Sequence, residues 1–192
     1  MNKGKLIVVS GPSGSGKGTV LKRVLQSDSN IFYSVSATTR APREGEENGV
    51  HYYFITREEF EKKIKEGGML EYAEYVGNYY GTPKDTVTEK LSRGQDVILE
   101  IETKGAEKIR EKCPDAIFVF ITPPSMEELK KRLIGRGTES IEVINKRLSR
   151  AAEEMKAQSL YDYIVVNDEA DRAALDIAAI IRSEKLKNSK GE

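Results

Sequence analysis

The sequence has little of the chemistry on which redox and metal proteins depend. Its 192 residues include one cysteine (Cys113), one histidine (His51) and no tryptophan. A single cysteine excludes an internal disulfide and is typical of a protein from a reducing compartment. His51 has no cysteine or histidine partner at metal-ligand spacing, and no Ser-His-Asp pattern is evident. We therefore interpret His51 as a structural or surface residue.

Net charge and long apolar runs are missing as well. Basic and acidic residues number 31 each, so no overall field attracts the protein to nucleic acid or to an anionic membrane. No apolar run approaches the roughly 20 residues that span a bilayer, and the first residues lead directly into a strand pattern, unlike a secretion signal. We expect a cytoplasmic protein without nucleic acid or membrane partners, which binds any phosphate ligand through local basic residues.

A glycine-rich run after the apolar segment 6–9 is the most informative part of the chain. Three glycines within six positions let successive N–H groups point into one concavity, and Lys17 adds positive charge where the outer phosphates of a nucleotide would lie. A helical pattern over 18–26 would direct its N-terminal end at the same phosphates. The alternative is an ordinary glycine-rich turn with a surface lysine. The pattern G-x-x-x-x-G-K favours a phosphate-binding loop (P-loop) made of Gly11, Pro12, Ser13, Gly14, Ser15, Gly16, Lys17, Gly18 and Thr19.

One position of this loop departs from the usual pattern. The residue after Lys17, usually a Ser or Thr that holds magnesium, is Gly18, and Thr19 follows it. Either Thr19 supplies the hydroxyl, or the metal depends more on water and acidic residues. Glu100, at the end of a predicted buried strand, is the acid that we expect to organise Mg²⁺ directly or through water.

The rest of the chain alternates short strands with longer helices. Apolar, β-branched runs at 6–9, 96–101, 116–121 and 163–166 predict a parallel sheet covered by helices on both faces. The helical patterns lie at 18–26, 84–92, 105–112, 125–134, 141–159 and 170–186. In the helix at 141–159 we expect the packed face to be Ile141, Ile144, Leu148 and Ala152. Residues 34–81 are richer in tyrosine and show alternating segments with one helix at about 58–66, which predicts a small inserted β-rich lobe.

Together with the loop, four clusters resemble the guanylate kinase family from about residue 5 to residue 168. They are SVSATTRAPR at 34–43, Glu71 followed by GNYYGT at 77–82, ILEIE at 98–102 and RLIGRGT at 132–138. The resemblance implies a nucleoside monophosphate kinase that transfers the γ-phosphoryl group of ATP to GMP with Mg²⁺, giving ADP and GDP in purine nucleotide metabolism. By the same resemblance we expect dGMP to serve as an acceptor.

The resemblance also implies the fold. We expect one α/β domain over 1–192: a P-loop NTPase-type parallel sheet flanked by helices, an inserted mixed β-rich nucleoside-monophosphate-binding lobe and a helical lid. The core would comprise 1–33 and 84–192, the GMP-binding lobe 34–83 and the lid about 126–150.

Two arginines are the expected ligands of the acceptor phosphate. Arg40 and Arg43 flank a proline in an extended segment, so both planar guanidinium groups can bind one anion. They match family residues that hold the GMP phosphate, as do Tyr52 and Tyr80. The alternatives are a solvated basic turn for the arginines and rings packed in a small core for the tyrosines.

A carboxylate is expected to read the base. Guanine shows two adjacent donors, N1–H and an amine, which a buried carboxylate accepts and which adenine lacks. Glu71 matches the family residue for this task, and Ser36 and Thr82 match hydroxyl positions at the base's acceptor edge. Glu102 stands where the family usually has aspartate near the amine, and Lys104 replaces a common glutamine, which leaves fine selectivity open. For Glu71 the alternative is an exposed strand acid.

The transfer step needs positioning and positive charge, because two anionic groups must approach in line. Five residues match the catalytic charges of the family: Lys17, Arg40, Arg132, Arg136 and Arg147. Arg136 is also expected at ATP, and Asn167 matches a position near the adenine of ATP, with a strand-ending turn residue as the alternative. Because the attacking phosphate oxygen is already ionised near neutral pH, we expect no dedicated general base.

Two other functions remain open at this point. Another small-molecule kinase would phosphorylate a sugar phosphate or a different nucleotide, but it would not need a base reader such as Glu71. A non-catalytic guanylate-kinase-like module would bind phosphopeptides, but such modules typically have a degraded phosphate loop. The retained Lys17 and the arginines at 132–147 favour the enzyme.

Overall fold

The computed structural model describes residues 3–135 and 140–187. In chain order the elements are β1 (Leu6–Ser10), α1 (Lys17–Ser27), β2 (Ile31–Tyr33), β3 (Ala37–Thr38), β4 (Tyr53–Phe54), α2 (Arg57–Lys65), β5 (Met69–Tyr75), β6 (Asn78–Pro83), α3 (Lys84–Ser92), β7 (Asp96–Glu100), α4 (Thr103–Lys112), β8 (Ile117–Thr122), α5 (Met126–Gly135), α6 (Ile141–Met155), β9 (Tyr163–Val166) and α7 (Ala170–Leu186), with a 3-10 helix at Lys156–Leu160 after α6. The chain divides into two compact units.

One unit contains Ile7–Ser29, Glu100–Thr103 and the described residues from Ile117 onward. Its strands pair in parallel in the order β1, β8, β9, with Val9 opposite Val119 and Val119 opposite Tyr163. All residues of β1 and β8 are buried, as expected for parallel strands covered on both faces. The Ser125 hydroxyl accepts the Glu128 N–H at the start of α5 and so caps the first turn of that helix.

The other unit contains the described residues up to Leu6, Asn30–Leu99 and Lys104–Ala116. It holds the parallel pair of β2 and β7 and a four-stranded sheet in the order β4, β3, β6, β5. That sheet is mixed, because β3 pairs with β4 in parallel and β6 pairs antiparallel with both β3 and β5. Phe60 of α2 is fully buried and stacks on Tyr79 at 5.1 Å between ring centroids, which anchors the helix to the sheet.

Parallel strands with helices, together with a separate mixed sheet, confirm the predicted α/β class. Two details differ from the sequence prediction. The helix predicted over 141–159 ends at Met155 and continues as a 3-10 turn. Its packed face is Ile144, Leu148 and Ala151, while Ile141 and Ala152 are exposed. The helix is therefore rotated slightly from the predicted stripe, because the α5 residues Leu129 and Leu133 pack against positions 144 and 151.

Within residues 3–135 and 140–187, none of the helices combines the length and the apolar character that crossing a membrane requires.

Candidate active site

The loop between β1 and α1 has the backbone that its glycines predict. Gly11, Gly14 and Gly16 have φ values of 151°, 93° and 89°, a region that L side chains rarely adopt. A Cβ at Gly11 would lie 2.1 Å from the Ile121 carbonyl oxygen, and one at Gly16 would lie 2.4 Å from the Asn167 amide nitrogen. Glycine is therefore required at Gly11 by conformation and by space, and at Gly16 by conformation. The loop delivers the chain to Lys17, the first residue of α1.

The Lys17 ammonium lies against the loop itself. It donates to the carbonyl oxygens of Gly11, at 2.7 Å, and of Pro12, at 3.2 Å. Burial lowers the pKa of Lys17, while the nearby carboxylates of Glu100, Glu154 and Glu102 oppose that shift. Its positive charge is thus balanced by dipoles and acids of the same unit.

Asn167 ties the loop to the end of β9. Its buried side-chain amide donates to the Ser15 carbonyl oxygen at 2.7 Å. The backbone carbonyl oxygen of Asn167 accepts from the Arg132 guanidinium at 2.9 Å. Sequence reasoning expected Asn167 near adenine or in a plain turn; the structure adds a direct contact with the loop. The Ser15 hydroxyl is buried and has no hydrogen-bond partner within the described part of the chain.

Helix α6 brings one arginine and one carboxylate to Ser13. Arg147 donates to the Ser13 hydroxyl at 2.7 Å, and the Glu154 carboxylate accepts the Ser13 backbone N–H at 3.2 Å. Arg150 in turn donates to Glu154 and to Glu102, at 2.8 Å each. Sequence reasoning identified Arg147 but missed Arg150 and Glu154. The signal was their spacing, since positions 147, 150 and 154 follow one another on one helical face.

We call this set the loop site: residues 11–17 with Arg132, Arg147, Arg150, Glu154 and Asn167. Arg132 also pairs with Glu128 at 3.3 Å on its own helix. Arg136 lies outside the described residues.

The donor set for Mg²⁺ is sparse but chemically suitable. Thr19 is exposed in the first turn of α1, and Glu100 is half-buried at the end of β7, close enough to raise the pKa of Lys17. Within the described residues there is no group of three or more His, Cys, Asp or Glu side chains that could hold a metal. Mg²⁺ commonly binds through one or two protein oxygens together with water and phosphate oxygens, so a hydroxyl and a carboxylate fit this ion.

Arg40, Arg43, Tyr52 and Tyr80 lie together in the other unit, around a carboxylate that the sequence analysis did not single out. Glu46 accepts one N–H from each terminal nitrogen of Arg40 at 2.9 Å and the Arg43 backbone N–H at 2.7 Å. These hydrogen bonds lower the pKa of Glu46 to about 2, and those from Arg40 contribute most. The Arg40 guanidinium lies 5.6 Å from the centre of the Tyr52 ring, and Tyr52 contacts Tyr80 edge-on. A bidentate carboxylate occupies the kind of position that a phosphate takes.

Glu71 is buried on β5 and paired with β6. Its carboxylate accepts the Thr82 hydroxyl at 2.9 Å, since the strand register sets these two residues side by side. Burial raises the pKa of Glu71, and the Thr82 bond together with the charges of Lys108 and Lys112 opposes this. Glu71 is thus not the exposed strand acid of the alternative interpretation. We call the acceptor site the set Arg40, Arg43, Glu46, Tyr52, Glu71, Tyr80 and Thr82.

The remaining predicted acceptor residues are Ser36 and Glu102. Ser36 is half-buried before β3, and its carbonyl oxygen accepts the Tyr53 N–H at 2.8 Å. Glu102 is exposed in the unit of the loop site, where it pairs with Arg150.

Comparison with known proteins gives one consistent result. The family model described as guanylate kinase matches residues 3–184. The guanylate kinase of Lactiplantibacillus plantarum is 58% identical over 185 residues, which cover 96% of this chain and 90% of that protein. That of Halalkalibacterium halodurans is 54% identical over 188 residues, 98% of this chain and 92% of its own.

Solved structures agree with these relatives. The crystal structure of guanylate kinase from Anaplasma phagocytophilum superposes with a TM-score of 0.80 and 38% identity, covering 97% of this chain and 89% of that one. The SH3-kinase fragment of tight junction protein 3 has a TM-score of 0.52 and 11% identity, over 97% of this chain and 60% of that one, and shares the fold alone.

Proposed function

This chain belongs to the guanylate kinase family and is a nucleoside monophosphate kinase that phosphorylates GMP, and we propose that ATP is the donor and that the loop site and the acceptor site carry the reaction. The observation that carries the guanine assignment is the buried Glu71 carboxylate bonded to Thr82. When ionised, it accepts the N1–H and amine donors of guanine; adenine offers no such pair. Ser36, Thr82 and Glu102 are the further contacts that we propose for the base.

At the donor end, we propose that the ATP phosphates occupy the concave side of the loop. Their oxygens would take backbone N–H groups of residues 13–17 and replace Glu154 at the Ser13 N–H. Lys17 would turn from the loop carbonyls to the outer phosphates, and Arg132 and Arg147 would add charge there. We also propose that Asn167 lies near the adenine of ATP and that Arg136 binds its phosphates.

At the acceptor end, we propose that the GMP phosphate binds Arg40, Arg43, Tyr52 and Tyr80. Support comes from the bidentate contact of Arg40 with Glu46, because a phosphate oxygen pair fits the same guanidinium fork. Tyrosine hydroxyls beside the fork would donate to the remaining oxygens. The lobe 34–83 would then carry GMP, and the segment 126–150 would act as the lid of a single 1–192 domain.

In the reaction, an oxygen of the GMP phosphate forms a bond to the γ-phosphorus of ATP. The bond from that phosphorus to the oxygen shared with the β-phosphate breaks, and the products are ADP and GDP. Mg²⁺ held by Thr19 and Glu100, directly or through water, would neutralise charge on the phosphate oxygens. No general base is required, since the attacking oxygen is already ionised near neutral pH. We also propose dGMP as an acceptor and the cytoplasm as the compartment, which suits these substrates.

An acceptor panel tests this proposal. Purified protein would be given ATP and Mg²⁺ with GMP, dGMP, AMP, CMP, UMP or a sugar phosphate, and ADP release would be measured. We expect turnover with GMP and dGMP and turnover lower by roughly 100-fold or more with the other acceptors. Equal turnover of a sugar phosphate would indicate the other kinase class, and no ADP release with any acceptor would indicate a binding module.

A further inference from the structure

The strand that carries Glu71 has an open edge. Within the described residues the mixed sheet runs β4, β3, β6, β5, so β5 has β6 as its one neighbouring strand. The Glu71 carbonyl faces β6, since a Cβ on Gly81 of that strand would lie 2.6 Å from it. Carbonyls alternate in direction along a regular strand, so that of Tyr72 points to the free edge. Leu70 lies at an irregularity in the register between Met69 and Glu71, and its carbonyl is placed by the lysine that bonds it.

Two lysines of α4 satisfy those edge carbonyls. Lys112 donates to the Leu70 carbonyl oxygen at 2.6 Å, and Lys108 donates to that of Tyr72 at 2.5 Å. The spacing explains the fit: residues four apart on a helix are about 6 Å apart along its axis, and residues two apart on a strand are about 6.6 Å apart. Lys108 also lies 5.3 Å from the centre of the Tyr72 ring. Glu71 is therefore held on both sides along its own strand.

The same two ammonium groups are the positive charges that act on Glu71. Burial raises the pKa of Glu71, and Lys108 and Lys112 oppose that rise, as does the Thr82 hydroxyl from β6. Besides that hydroxyl, β6 offers only two tyrosines as titratable groups, and β3 consists of Ala37 and Thr38. Positive charge close to a buried carboxylate favours its ionised form, which is the form that accepts donors from guanine.

We infer that Lys108 and Lys112 are positioning residues for GMP selection: they fix β5 at the two peptides that flank Glu71 and hold its carboxylate in the charged, guanine-accepting state. The inference rests on the proposed reader role of Glu71. Neither lysine touches the base; both act through Glu71.

The kinetic test compares wild type with Lys108→Met, Lys112→Met and the double variant, with Lys65→Met, an exposed lysine of α2, as the matched control. We expect the double variant to raise the KM for GMP by roughly tenfold, with the KM for ATP and kcat changed by less than about twofold. The acid limb of kcat/KM for GMP should move to higher pH, because the opposing charges are gone. Lys108→Arg with Lys112→Arg should restore both values.

A second measurement does not depend on turnover. The Glu71 carboxyl carbon would be titrated by ¹³C NMR in the free protein, with Glu71→Gln used to assign the signal. A midpoint that moves upward in the double variant supports the inference, and an unmoved midpoint overturns it. Circular dichroism and Tm would verify folding; if the double variant does not fold, the single variants decide in the same way.

The proposed function is tested separately from the lysines. If Glu71→Gln leaves the preference for GMP over AMP unchanged, the reader role fails, whatever the lysine variants do. If Glu71→Gln relaxes that preference while the double lysine variant retains the GMP KM and acid limb of wild type, the inference about the lysines alone is overturned.

Discussion

The loop site and the acceptor site, the two proposed binding sites for phosphate, differ in which groups would bind the anion. In the loop site the backbone would form the binding surface: three glycines with positive φ shape the loop, and Lys17 lies against its carbonyls. In the acceptor site side chains do this, through the fork of Arg40 and the buried Glu71. Each site also contains a carboxylate that takes donors suited to phosphate, Glu154 at one and Glu46 at the other. We therefore expect substitutions that alter the backbone to destabilise the loop site. We expect side-chain substitutions in the acceptor site to weaken binding without loss of folding.

The largest expected effect comes from Lys17→Ala. Removal of this charge should lower kcat by roughly 10²–10³-fold, since developing charge on the transferring phosphoryl group would lose its partner. The matched change in the acceptor site, Arg43→Ala, should instead raise the KM for GMP. Steady-state kinetics with both substrates varied would separate the two, and Lys22→Ala, exposed on the same helix, is the control. Identical effects of both variants on both parameters would contradict the division into two sites.

Backbone dependence is tested by two glycines of the loop. Gly11→Ala should destabilise the protein by about 3 kcal/mol, because the new Cβ meets the Ile121 carbonyl at a φ of 151°. Gly18→Ala meets nothing within 4 Å and should be neutral or stabilise by up to about 1 kcal/mol. Urea unfolding of both variants measures the difference. A stable Gly11→Ala protein with normal activity would show that the loop tolerates side chains.

These glycines show which part of the molecule could be predicted from the sequence. The loop was predictable because its positive-φ conformation depends on glycine, and the spacing of the glycines in the sequence shows this directly. Glu71 and Thr82 were found through resemblance, and their pairing follows from strand register. Glu46, Glu154 and Arg150 were missed because long charged side chains find partners only in the folded chain. The short strand β2 was also missed, since three residues give too little periodicity.

The buried carboxylate of Glu71 should lower the stability of the free protein at neutral pH. Burial raises the pKa of Glu71 in the folded state above its unfolded value of 4.5. The folded protein is therefore most stable, relative to the unfolded chain, when Glu71 is protonated at low pH, and it loses that stability as the pH rises through the raised pKa. Glu71→Gln should therefore stabilise the free protein at pH 8 by about 1 kcal/mol, and the gain should shrink as pH falls toward 4.5. Glu74→Gln, on the same strand, is the control. Urea midpoints at several pH values measure this, and a gain independent of pH would contradict burial as the cause.

The smallest expected effect lies at the turn between β5 and β6. Val76 has a φ of 49°, followed by Gly77 at 74°, which suits a type I′ turn in which a β-branched residue is strained. Val76→Asn should raise stability by about 0.5–1 kcal/mol without changing the KM for GMP or ATP. Thermal unfolding and kinetics check this. A change in GMP binding would show that the acceptor site extends to the turn.

The central claim about the acceptor site is that one side chain, Glu71, selects the base. The most direct measurement is the ratio of kcat/KM for GMP to that for AMP in wild type and in Glu71→Gln, at equal Mg²⁺ and ATP. We predict that the ratio falls by roughly 100-fold in the variant, because its amide presents one acceptor and one donor where guanine requires two acceptors. A variant that keeps the ratio of wild type would contradict the assignment of Glu71 as the guanine reader.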